Sequence, residues 1–438
     1  MSKHTNARFY AALAVFSLIG QVAWVIENMY FNVFIYNMFH ATADDISLMV
    51  LASAVSAAVT TIFVGALADK IGKRKSFICI GYILWGISIL SFSLLRVDIL
   101  SMYVTGVSAA MSLGVTLTVI MDCVMTFFGS SANDACFNAW LTDSTDETNR
   151  GTAEGINSMM PLIAILVVFG GFMAFDLSAP ESWTAIYLII GAAVILIGIL
   201  GLFIIKEPDI KPIKQKYFST VIYSFRPSVV KNNKMFYMAL AAFSVFNISI
   251  QIFMPYLILY YTEALHMSNY VLIMAPAIIF ASAVTVFFGK RYDRVKFVKS
   301  IPFSLAFLAA GYIVLSIFTS VPAVFIGSLL MMTGYLSGCA IFGAVIREYT
   351  PAGMSGQFQG VRIVCQVLIP GAIGPIIGAA VLSGAEQVAN SDGTYSFIPN
   401  RGIFIAALAV TVLLVGVLVP FIHMLKNKKT DIEKEQCS

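Results

Sequence analysis

The sequence predicts an all-α integral membrane protein with twelve transmembrane helices in two pseudo-symmetric six-helix bundles. Three observations favour this fold. The 438 residues are 59% hydrophobic and only 11% charged, with a mean hydropathy of +0.87, whereas soluble domains carry about 25% charged residues. Hydropathy identifies twelve apolar segments long enough to cross a bilayer. Short motifs also recur between the two halves of the chain, which indicates an internal duplication.

The predicted spans form two sets of six. They lie at about 11–38, 46–68, 76–95, 114–141, 154–176, 184–205, 233–262, 268–289, 299–320, 322–346, 357–383 and 401–425. The first span is about twice as long as the apolar region of a signal peptide, so we expect it to be retained. Residues 99–113 are rich in Ser and Gly and predict a surface segment, with a short extra helix as the alternative.

The spans also define the predicted domains. These are an N-terminal six-helix bundle over 1–205, a basic cytoplasmic linker over 206–232, a C-terminal six-helix bundle over 233–425 and a cytoplasmic tail over 426–438.

Basic residues are concentrated on one side of the predicted membrane. That side holds the N-terminus, Lys70 to Lys75, the linker and the tail, whereas the other side holds only Arg96 and Arg401. This asymmetry predicts a multi-pass plasma membrane protein with both termini in the cytoplasm. It also explains the basic linker, for which binding to anionic lipid is the alternative. We expect a monomer in the lipid bilayer and no nucleic-acid partner.

Enzymatic and metal chemistry are not indicated. The six cysteines lack C-x-x-C spacing and the four histidines are scattered, so the sequence predicts neither a disulfide framework nor a metal site. It contains no G-x-x-x-x-G-K-[ST] motif and no plausible Ser or Cys triad. We therefore expect no enzymatic activity and no cofactor.

The fourth predicted helix carries a polar stripe. At about 100° per residue, five residues fall within about 40° of a common direction on one helix face: Thr118, Asp122, Thr126, Gly129 and Asn133. Such a stripe is costly in lipid unless it faces a water-filled cavity or another helix. We interpret the helix as lining a pathway. Asp134 lies roughly 120° around from Asp122 and is expected to serve a different neighbour.

Two acids inside the spans are candidates for ion coupling. Asp122 and Glu27 lie at comparable predicted depths, and a carboxylate at the centre of a membrane helix costs about 2.5 to 3.5 kcal/mol on translocon scales. Loss of water favours the neutral form of a carboxyl group, and alternate access from the two sides would then load and unload a proton. The alternative is a structural acid that ties helices together by hydrogen bonds.

Amide and indole side chains predict a solute site. The candidates are Gln21, Trp24, Asn28 and Asn32 on the first helix, Thr126 and Asn133 on the fourth, and Asn247 and Gln251 on the seventh. Amides supply paired donors and acceptors and an aromatic face covers the C–H surface of a sugar, so the set suits a neutral hydroxylated solute. The alternative is hydrogen bonding between helices, worth about 0.6 kcal/mol for each bond.

Two loop motifs carry the internal repeat. Gly65, Asp69 and Lys70 have the same spacing as Gly289, Asp293 and Arg294. In the second motif, Thr145, Gly151 and Gly155 have the same spacing as Thr350, Gly356 and Gly360. Because these loops are equivalent in the two halves, together they favour duplication.

The first of these loops resembles a known signature. The run Gly65-Ala-Leu-Ala-Asp69-Lys70-Ile-Gly72-Lys73-Arg74-Lys75 is similar to the loop between helices 2 and 3 of the major facilitator superfamily. That resemblance implies a cavity lined by helices 1, 4, 7 and 10. Glycine permits close approach and a tight turn, while an acid beside several bases can form an ion-pair latch. The predicted gating and salt-bridge residues are Gly65, Asp69, Lys70, Gly72, Arg74, Asp134, Asp143, Arg150, Gly289, Asp293, Arg294 and Arg362.

A second resemblance is narrower. The run from Asn133 to Arg150 is similar to the helix 4–5 region of the glycoside-pentoside-hexuronide:cation symporters, which melibiose permease typifies. Those symporters carry paired acids on helix 2, where this chain has Ser56 and Thr60. A proton is therefore expected as the coupling ion rather than sodium.

Taken with the residues, the resemblance implies secondary active transport by alternating access. We expect a proton-coupled symporter of a sugar or glycoside. Two alternatives remain: a proton-coupled exporter of amphipathic organic compounds, and a non-transporting membrane sensor.

Overall fold

The computed structural model describes residues 3–145, 150–208, 223–267, 269–351, 355–390 and 394–437. Ten helices of this described part are long and apolar enough to cross a membrane. Two shorter apolar helices, Met159–Phe172 and Val271–Thr285, lie where the fifth and eighth spans were predicted. The predicted all-α membrane fold with twelve transmembrane helices is confirmed.

The chain divides into two compact units. Unit 1 comprises Met1–Val221 with Glu386–Ile398, and unit 2 comprises Ile222–Ala385 with Pro399–Ser438.

Unit 1 contains the first six spans, numbered α1 to α6. Helix α1 is Lys3–Val25, continued by a π-helical segment, Ile26–Tyr30, and by Phe31–Phe39; α2 is Ala43–Ile71; α3 is Lys75–Ser91 with a 3-10 turn, Phe92–Leu94; α4 is Val107–Gly129, continued by a π-helical segment, Ser130–Phe137, and by Asn138–Asp143; α5 is Arg150–Phe172; α6 is Pro180–Ile204. A short helix, Val97–Leu100, lies in the segment before α4, which begins earlier than predicted.

Unit 2 contains the remaining spans, α7 to α12. Helix α7 is Lys234–Phe253, continued by a 3-10 turn, Met254–Tyr256, by Leu257–Leu259 and by a π-helical segment, Tyr260–Ala264; α8 and α9 together occupy Val271–Ile317; α10 is Val321–Tyr349; α11 is Ser355–Ile363, a π-helical segment, Val364–Leu368, and Ile369–Leu382; α12 is Gly402–Cys437. Helices α8 and α9 are separated by a break in the helical backbone at Lys296, where φ is 60°. A short helix, Pro227–Asn232, precedes α7.

Local chemistry sets both ends of α2. Thr42 precedes the helix, and its hydroxyl oxygen accepts a hydrogen bond from the Asp45 backbone N–H at 3.2 Å. The Asp45 carboxylate in turn accepts from the Thr42 backbone N–H at 2.9 Å, so the pair forms a capping box. At the other end Gly72 adopts a left-handed conformation with φ 71°, which favours glycine. The predicted tight turn of the signature loop is therefore present.

A β-hairpin between α11 and α12 belongs to unit 1. Strands β1 (Gln387–Ala389) and β2 (Tyr395–Phe397) pair antiparallel. The Tyr36 hydroxyl of α1 donates a hydrogen bond to the Phe397 carbonyl oxygen at 2.7 Å, and the His40 ring bonds to the Thr394 hydroxyl. The hairpin therefore packs on the end of α1.

Glycine permits close contact between α9 and α10 in unit 2. A Cβ at Gly334 would lie 2.4 Å from the Leu308 backbone nitrogen, a distance that backbone atoms cannot accommodate without moving. We predict that Gly334→Ala lowers the free energy of unfolding by about 1–3 kcal/mol because it overpacks this contact. Thermal unfolding of the purified protein measures the effect.

Gly416→Ala on α12 is the matched control. No atom lies within 4 Å of a Cβ built at Gly416, so alanine there should change stability by no more than about 0.5 kcal/mol. Equal midpoints for the two variants would contradict the close-packing argument.

Candidate functional site

Three helices of unit 1 converge on Glu27. This residue lies in the π-helical segment of α1, a backbone form that is frequent at functional sites. Its side chain is only 7% exposed. Helix α2 supplies Ser53 and helix α4 supplies Thr126, which is fully buried.

The two hydroxyl groups hold one oxygen of the Glu27 carboxyl. Ser53 Oγ lies 2.7 Å from Glu27 Oε1, and Thr126 Oγ1 lies 2.8 Å from the same atom. The hydroxyl oxygens of Ser53 and Thr126 are themselves 2.9 Å apart. The three oxygens therefore form a closed triangle of hydrogen-bonding distances.

Asp122 completes this group, which we call the Glu27 cluster: Glu27, Ser53, Asp122 and Thr126. Asp122 lies one helical turn before Thr126 on α4 and is 2% exposed. Among the described residues, Glu27 Oε2 and Asp122 Oδ1 are buried without a hydrogen-bond partner. The two acids predicted for coupling are thus brought together.

The electrostatic surroundings of the cluster are acidic. Asp134 acts on Glu27, and Glu27 acts on Asp122. In the part of the chain that the structure describes, neither acid forms a salt bridge with a lysine, arginine or histidine. Two ionised carboxylates here would be uncompensated buried charges, which is costly. The cluster is therefore suited to holding a proton.

The rest of the α4 stripe is enclosed within unit 1. The Thr118 hydroxyl donates to the Gly114 carbonyl oxygen at 2.7 Å, and Gly129 lies against the Trp85 ring. Asn133 Oδ1 accepts a hydrogen bond from the Tyr82 hydroxyl at 3.0 Å. The side chains of the stripe are therefore buried in this structure, and substrate contacts by Thr126 and Asn133 stay predictions.

The other candidate solute residues are more accessible. On α1, Asn28 is exposed and Gln21 and Trp24 are partly exposed, whereas Asn32 is fully buried. The Asn28 amide donates to the Trp24 carbonyl oxygen at 2.7 Å, and the Asn32 amide donates to the Asn28 carbonyl oxygen at 3.0 Å. Gln21, Trp24 and Asn28 thus form an accessible polar face on α1.

Helix α7 of unit 2 has a similar face. Asn247 and Gln251 are partly exposed, while Phe246, Ile248 and Ile250 beside them are buried. The Asn247 amide donates to the Phe243 carbonyl oxygen at 3.0 Å.

Two of the predicted gating residues, Arg74 and Asp143, form an ion pair between the start of α3 and the end of α4. Arg74 is 4% exposed, and its Nε lies 3.0 Å from Asp143 Oδ2. Glu207, which the sequence did not single out, accepts hydrogen bonds from the backbone N–H groups of Arg74 and Lys75. A carboxylate at a helix N-terminus is a favourable arrangement, so Glu207 secures the start of α3.

The structure describes the surroundings of only some of the remaining gating candidates. Gly65 packs on Ala135 of α4, with 3.6 Å between a built Cβ and the Ala135 Cβ, and Lys70 is exposed. Asp134 accepts a hydrogen bond from the Ser130 hydroxyl at 3.0 Å. Its role in a gating salt bridge stays a prediction, as does that of Arg362, a partly exposed residue of α11. The side chains of four candidates lie outside the described residues: Asp69, Arg150, Asp293 and Arg294; the surroundings of Gly289 are likewise outside them.

We predict that Arg74→Met lowers the free energy of unfolding by about 1–3 kcal/mol, because it removes a charged hydrogen bond from a buried guanidinium to the Asp143 carboxylate. Thermal unfolding measures the loss. Lys73→Met is the matched control, since Lys73 is exposed and its removal should cost no more than about 0.5 kcal/mol. Equal unfolding midpoints for the two variants would show that the ion pair contributes nothing measurable to stability.

The chain matches the family model described as Major Facilitator Superfamily over residues 9–375. No curated protein matches it significantly.

Several solved structures are similar to the chain. The nucleoside transporter NupG has a TM-score of 0.71 at 12% identity and covers 94% of this chain and 99% of its own. A bacterial homolog of the human lysosomal transporter Spinster has a TM-score of 0.69 at 15% identity, with coverages of 97% and 98%. The xylose transporter XylE from E. coli has a TM-score of 0.66 at 14% identity, with coverages of 94% and 97%. At these identities the similarity shows a shared fold.

Proposed function

Because the chain belongs to the major facilitator superfamily, we propose that it is a secondary active transporter that works by alternating access. Its cargo is a small polar solute, and its coupling ion is a proton. The observation that carries the proposal is the Glu27 cluster, in which two buried acids and two hydroxyl groups meet without a basic partner among the described residues.

The number of available protons supports a protonated Glu27. The oxygen atoms of Glu27, Ser53 and Thr126 are 2.7, 2.8 and 2.9 Å apart. Each hydroxyl group has one proton to donate, so Ser53 and Thr126 can fill only two of these three contacts. A proton on the carboxyl group supplies the third. The triangle is completely hydrogen-bonded only when Glu27 is neutral.

Deprotonation would leave the same geometry with two donors to one carboxylate oxygen. Hydrogen bonds to a charged acceptor are stronger than neutral ones, so Ser53 and Thr126 also stabilise the ionised form. A site that supports both states can load a proton on one side of a membrane and release it on the other. That is the requirement for coupling.

The accessible faces of α1 and α7 support a hydroxylated solute. Gln21, Trp24 and Asn28 in unit 1, and Asn247 and Gln251 in unit 2, offer amide donors and acceptors with an indole ring. Structures similar in fold include transporters of nucleosides and of xylose. We propose a sugar or glycoside as cargo, and membership of the glycoside-pentoside-hexuronide group stays a prediction.

We propose a plasma membrane location with both termini in the cytoplasm, which puts the Arg74–Asp143 ion pair at the cytoplasmic ends of α3 and α4.

Reconstitution in proteoliposomes tests the function. Labelled sugars, glycosides, nucleosides and amphipathic cations are offered under a proton gradient or a sodium gradient imposed separately. We expect a hydroxylated solute to accumulate under the inward proton gradient alone and a protonophore to prevent it. Sodium-driven uptake would contradict the coupling ion, and outward movement of amphipathic cations would indicate an exporter. Specific binding without flux would indicate a sensor.

A further inference from the structure

We propose that Trp85 of α3 is a positioning residue for the solute site, which supports the Trp24 indole ring so that this ring presents a flat aromatic face to a sugar or glycoside. The inference rests on the proposed function, in which Trp24 contacts the solute. It concerns a residue that the sequence did not single out, on a helix that was not expected to line the cavity.

The contact between the two indole rings is the first argument. The ring centroids of Trp24 and Trp85 lie 5.1 Å apart, with an angle of 46° between the ring planes. This distance lies within the range at which aromatic pairs stabilise each other. Trp24 is partly exposed, whereas Trp85 is fully buried. Trp85 is therefore the inner member of the pair and Trp24 the outer one.

Helix α1 presents Trp24 together with polar side chains. Gln21 and Asn28 fall on the same face of the helix as Trp24, and the Asn28 amide donates to the Trp24 backbone carbonyl oxygen at 2.7 Å. Gln21 is partly exposed and Asn28 is exposed. An indole ring between two amides suits a sugar, since the ring covers C–H groups while the amides bind hydroxyl groups.

The position of Trp85 is itself fixed. A Cβ built at Gly129 of α4 would lie 2.7 Å from Trp85 Cε2, so the indole occupies the space that a side chain at Gly129 would need. The Tyr82 ring packs against Trp85 with centroids 5.4 Å apart. The Tyr82 hydroxyl lies 2.9 Å from the Phe16 carbonyl oxygen and 3.0 Å from Asn133 Oδ1, which connects it to α1 and α4. Trp85 is therefore held by its own helix and by α4.

The indole N–H groups distinguish this pair from the other two tryptophans. Trp140 and Trp183 each donate a hydrogen bond to a backbone carbonyl oxygen, at 3.0 and 2.8 Å. The N–H groups of Trp24 and Trp85 are buried without a hydrogen-bond partner among the described residues. Trp140 and Trp183 thus tie segments of the chain together, whereas Trp24 and Trp85 act on each other through their rings.

Trp183 of α6 provides a matched control. It is 1% exposed, and its ring packs against the rings of Phe34, Phe172 and Tyr187. Trp183→Leu therefore removes the same buried indole from the same unit at another place. A general loss of packing would affect the Trp183 and Trp85 variants alike.

The experiment compares Trp85→Leu, Trp85→Phe, Trp24→Leu, Trp183→Leu and the double variant Trp24→Leu with Trp85→Leu, each as the full-length protein in proteoliposomes. The probe is a labelled sugar, xylose or lactose, that the wild type accumulates under the inward proton gradient. Two quantities are measured: the solute concentration that gives half-maximal uptake, and the maximum rate of uptake.

We expect Trp85→Leu to raise the half-maximal concentration at least about tenfold. The maximum rate should stay within about twofold of the wild type, because a loss of binding alone does not slow the later steps. Trp85→Phe should recover most of the affinity, since it keeps an aromatic ring in contact with Trp24. Trp183→Leu should keep the wild-type half-maximal concentration.

The double variant tests whether Trp85 acts through Trp24. Adding Trp85→Leu to Trp24→Leu should change the half-maximal concentration by less than about twofold, because the ring that Trp85 supports is already gone. Effects that multiply in full would show that Trp85 does not act through Trp24, and would overturn the proposal.

Other results would also overturn the positioning role. A half-maximal concentration for Trp85→Leu equal to that of Trp183→Leu would show that Trp85 does not position Trp24. A loss of affinity that Trp85→Phe does not reverse, or a fall in the maximum rate alone, would show a packing role. If Trp24→Leu had no effect, or if the wild type accumulated neither sugar, the proposed solute site would fail, and the support by Trp85 with it.

Discussion

Glu27→Gln is expected to abolish proton-driven accumulation while solute exchange continues. Glutamine keeps a carbonyl oxygen for the hydrogen bonds from Ser53 and Thr126 but cannot bind and release a proton. For one proton per solute, a gradient of one pH unit corresponds to about 1.4 kcal/mol and supports about tenfold accumulation. The variant should equilibrate its solute without concentrating it. The final ratio of internal to external labelled solute measures the effect.

The control for this variant is Asp44→Asn. Asp44 is an exposed acid in the first turn of α2, so its neutralisation should leave the accumulation ratio unchanged. Accumulation by Glu27→Gln at the wild-type ratio would exclude Glu27 as the coupling acid.

Asp122→Asn is expected to slow proton-driven uptake at least about tenfold and to leave the final accumulation ratio near that of the wild type. Glu27 still binds the proton in this variant, but the second buried acid that could take part in its loading and release is lost. The effect is therefore on the rate, whereas the effect of Glu27→Gln is on the equilibrium. A time course of labelled uptake under a fixed pH gradient separates the two.

Asp176→Asn provides the comparison. The Ser178 hydroxyl and backbone N–H hold the pKa of Asp176 below its usual range. A lowered pKa keeps this exposed carboxylate ionised throughout the assay range of about pH 5–8, so it cannot carry the coupling proton and its loss should not change the time course. If Asp122→Asn took up solute as fast as Asp176→Asn, Asp122 would be a structural acid.

The sequence identified both acids, because a carboxyl group inside an apolar span is conspicuous whatever its neighbours. From the sequence, Asp122 was the preferred coupling acid, since that residue lies within a polar stripe. The hydrogen bonds from Ser53 and Thr126 to Glu27 now favour Glu27. Which acid receives the donors depends on how three helices meet, and helical periodicity within one segment does not contain that information.

Ser53 was missed for a related reason. A serine in a membrane helix commonly bonds to the backbone of its own helix or of a neighbour, as Ser56 does here. Counting from the signature loop directed attention to Ser56 and Thr60. The π-helical segment around Glu27 was also outside what a period of about 3.6 residues can predict, and it changes the direction of every later side chain on α1.

The hairpin before α12 could have been predicted from the sequence. The sequence from Gln387 to Phe397 contains an Asp-Gly pair between short runs that include Val388, Tyr395 and Phe397, and such a pair favours a hairpin turn. Hydropathy analysis passes over so short a segment, because it searches for runs long enough to cross a bilayer.

That hairpin determines how the protein can be divided. A fragment that stopped at Val221 would carry α1 to α6 but would lack residues 386–398, which belong to the same compact unit. The hydroxyl group of Tyr36 would lose its acceptor, the Phe397 carbonyl oxygen, and the end of α1 would lose its cover. The N-terminal half of the gene therefore does not encode a self-sufficient module. Co-expression of the two halves as separate chains would return the missing strands to the first half.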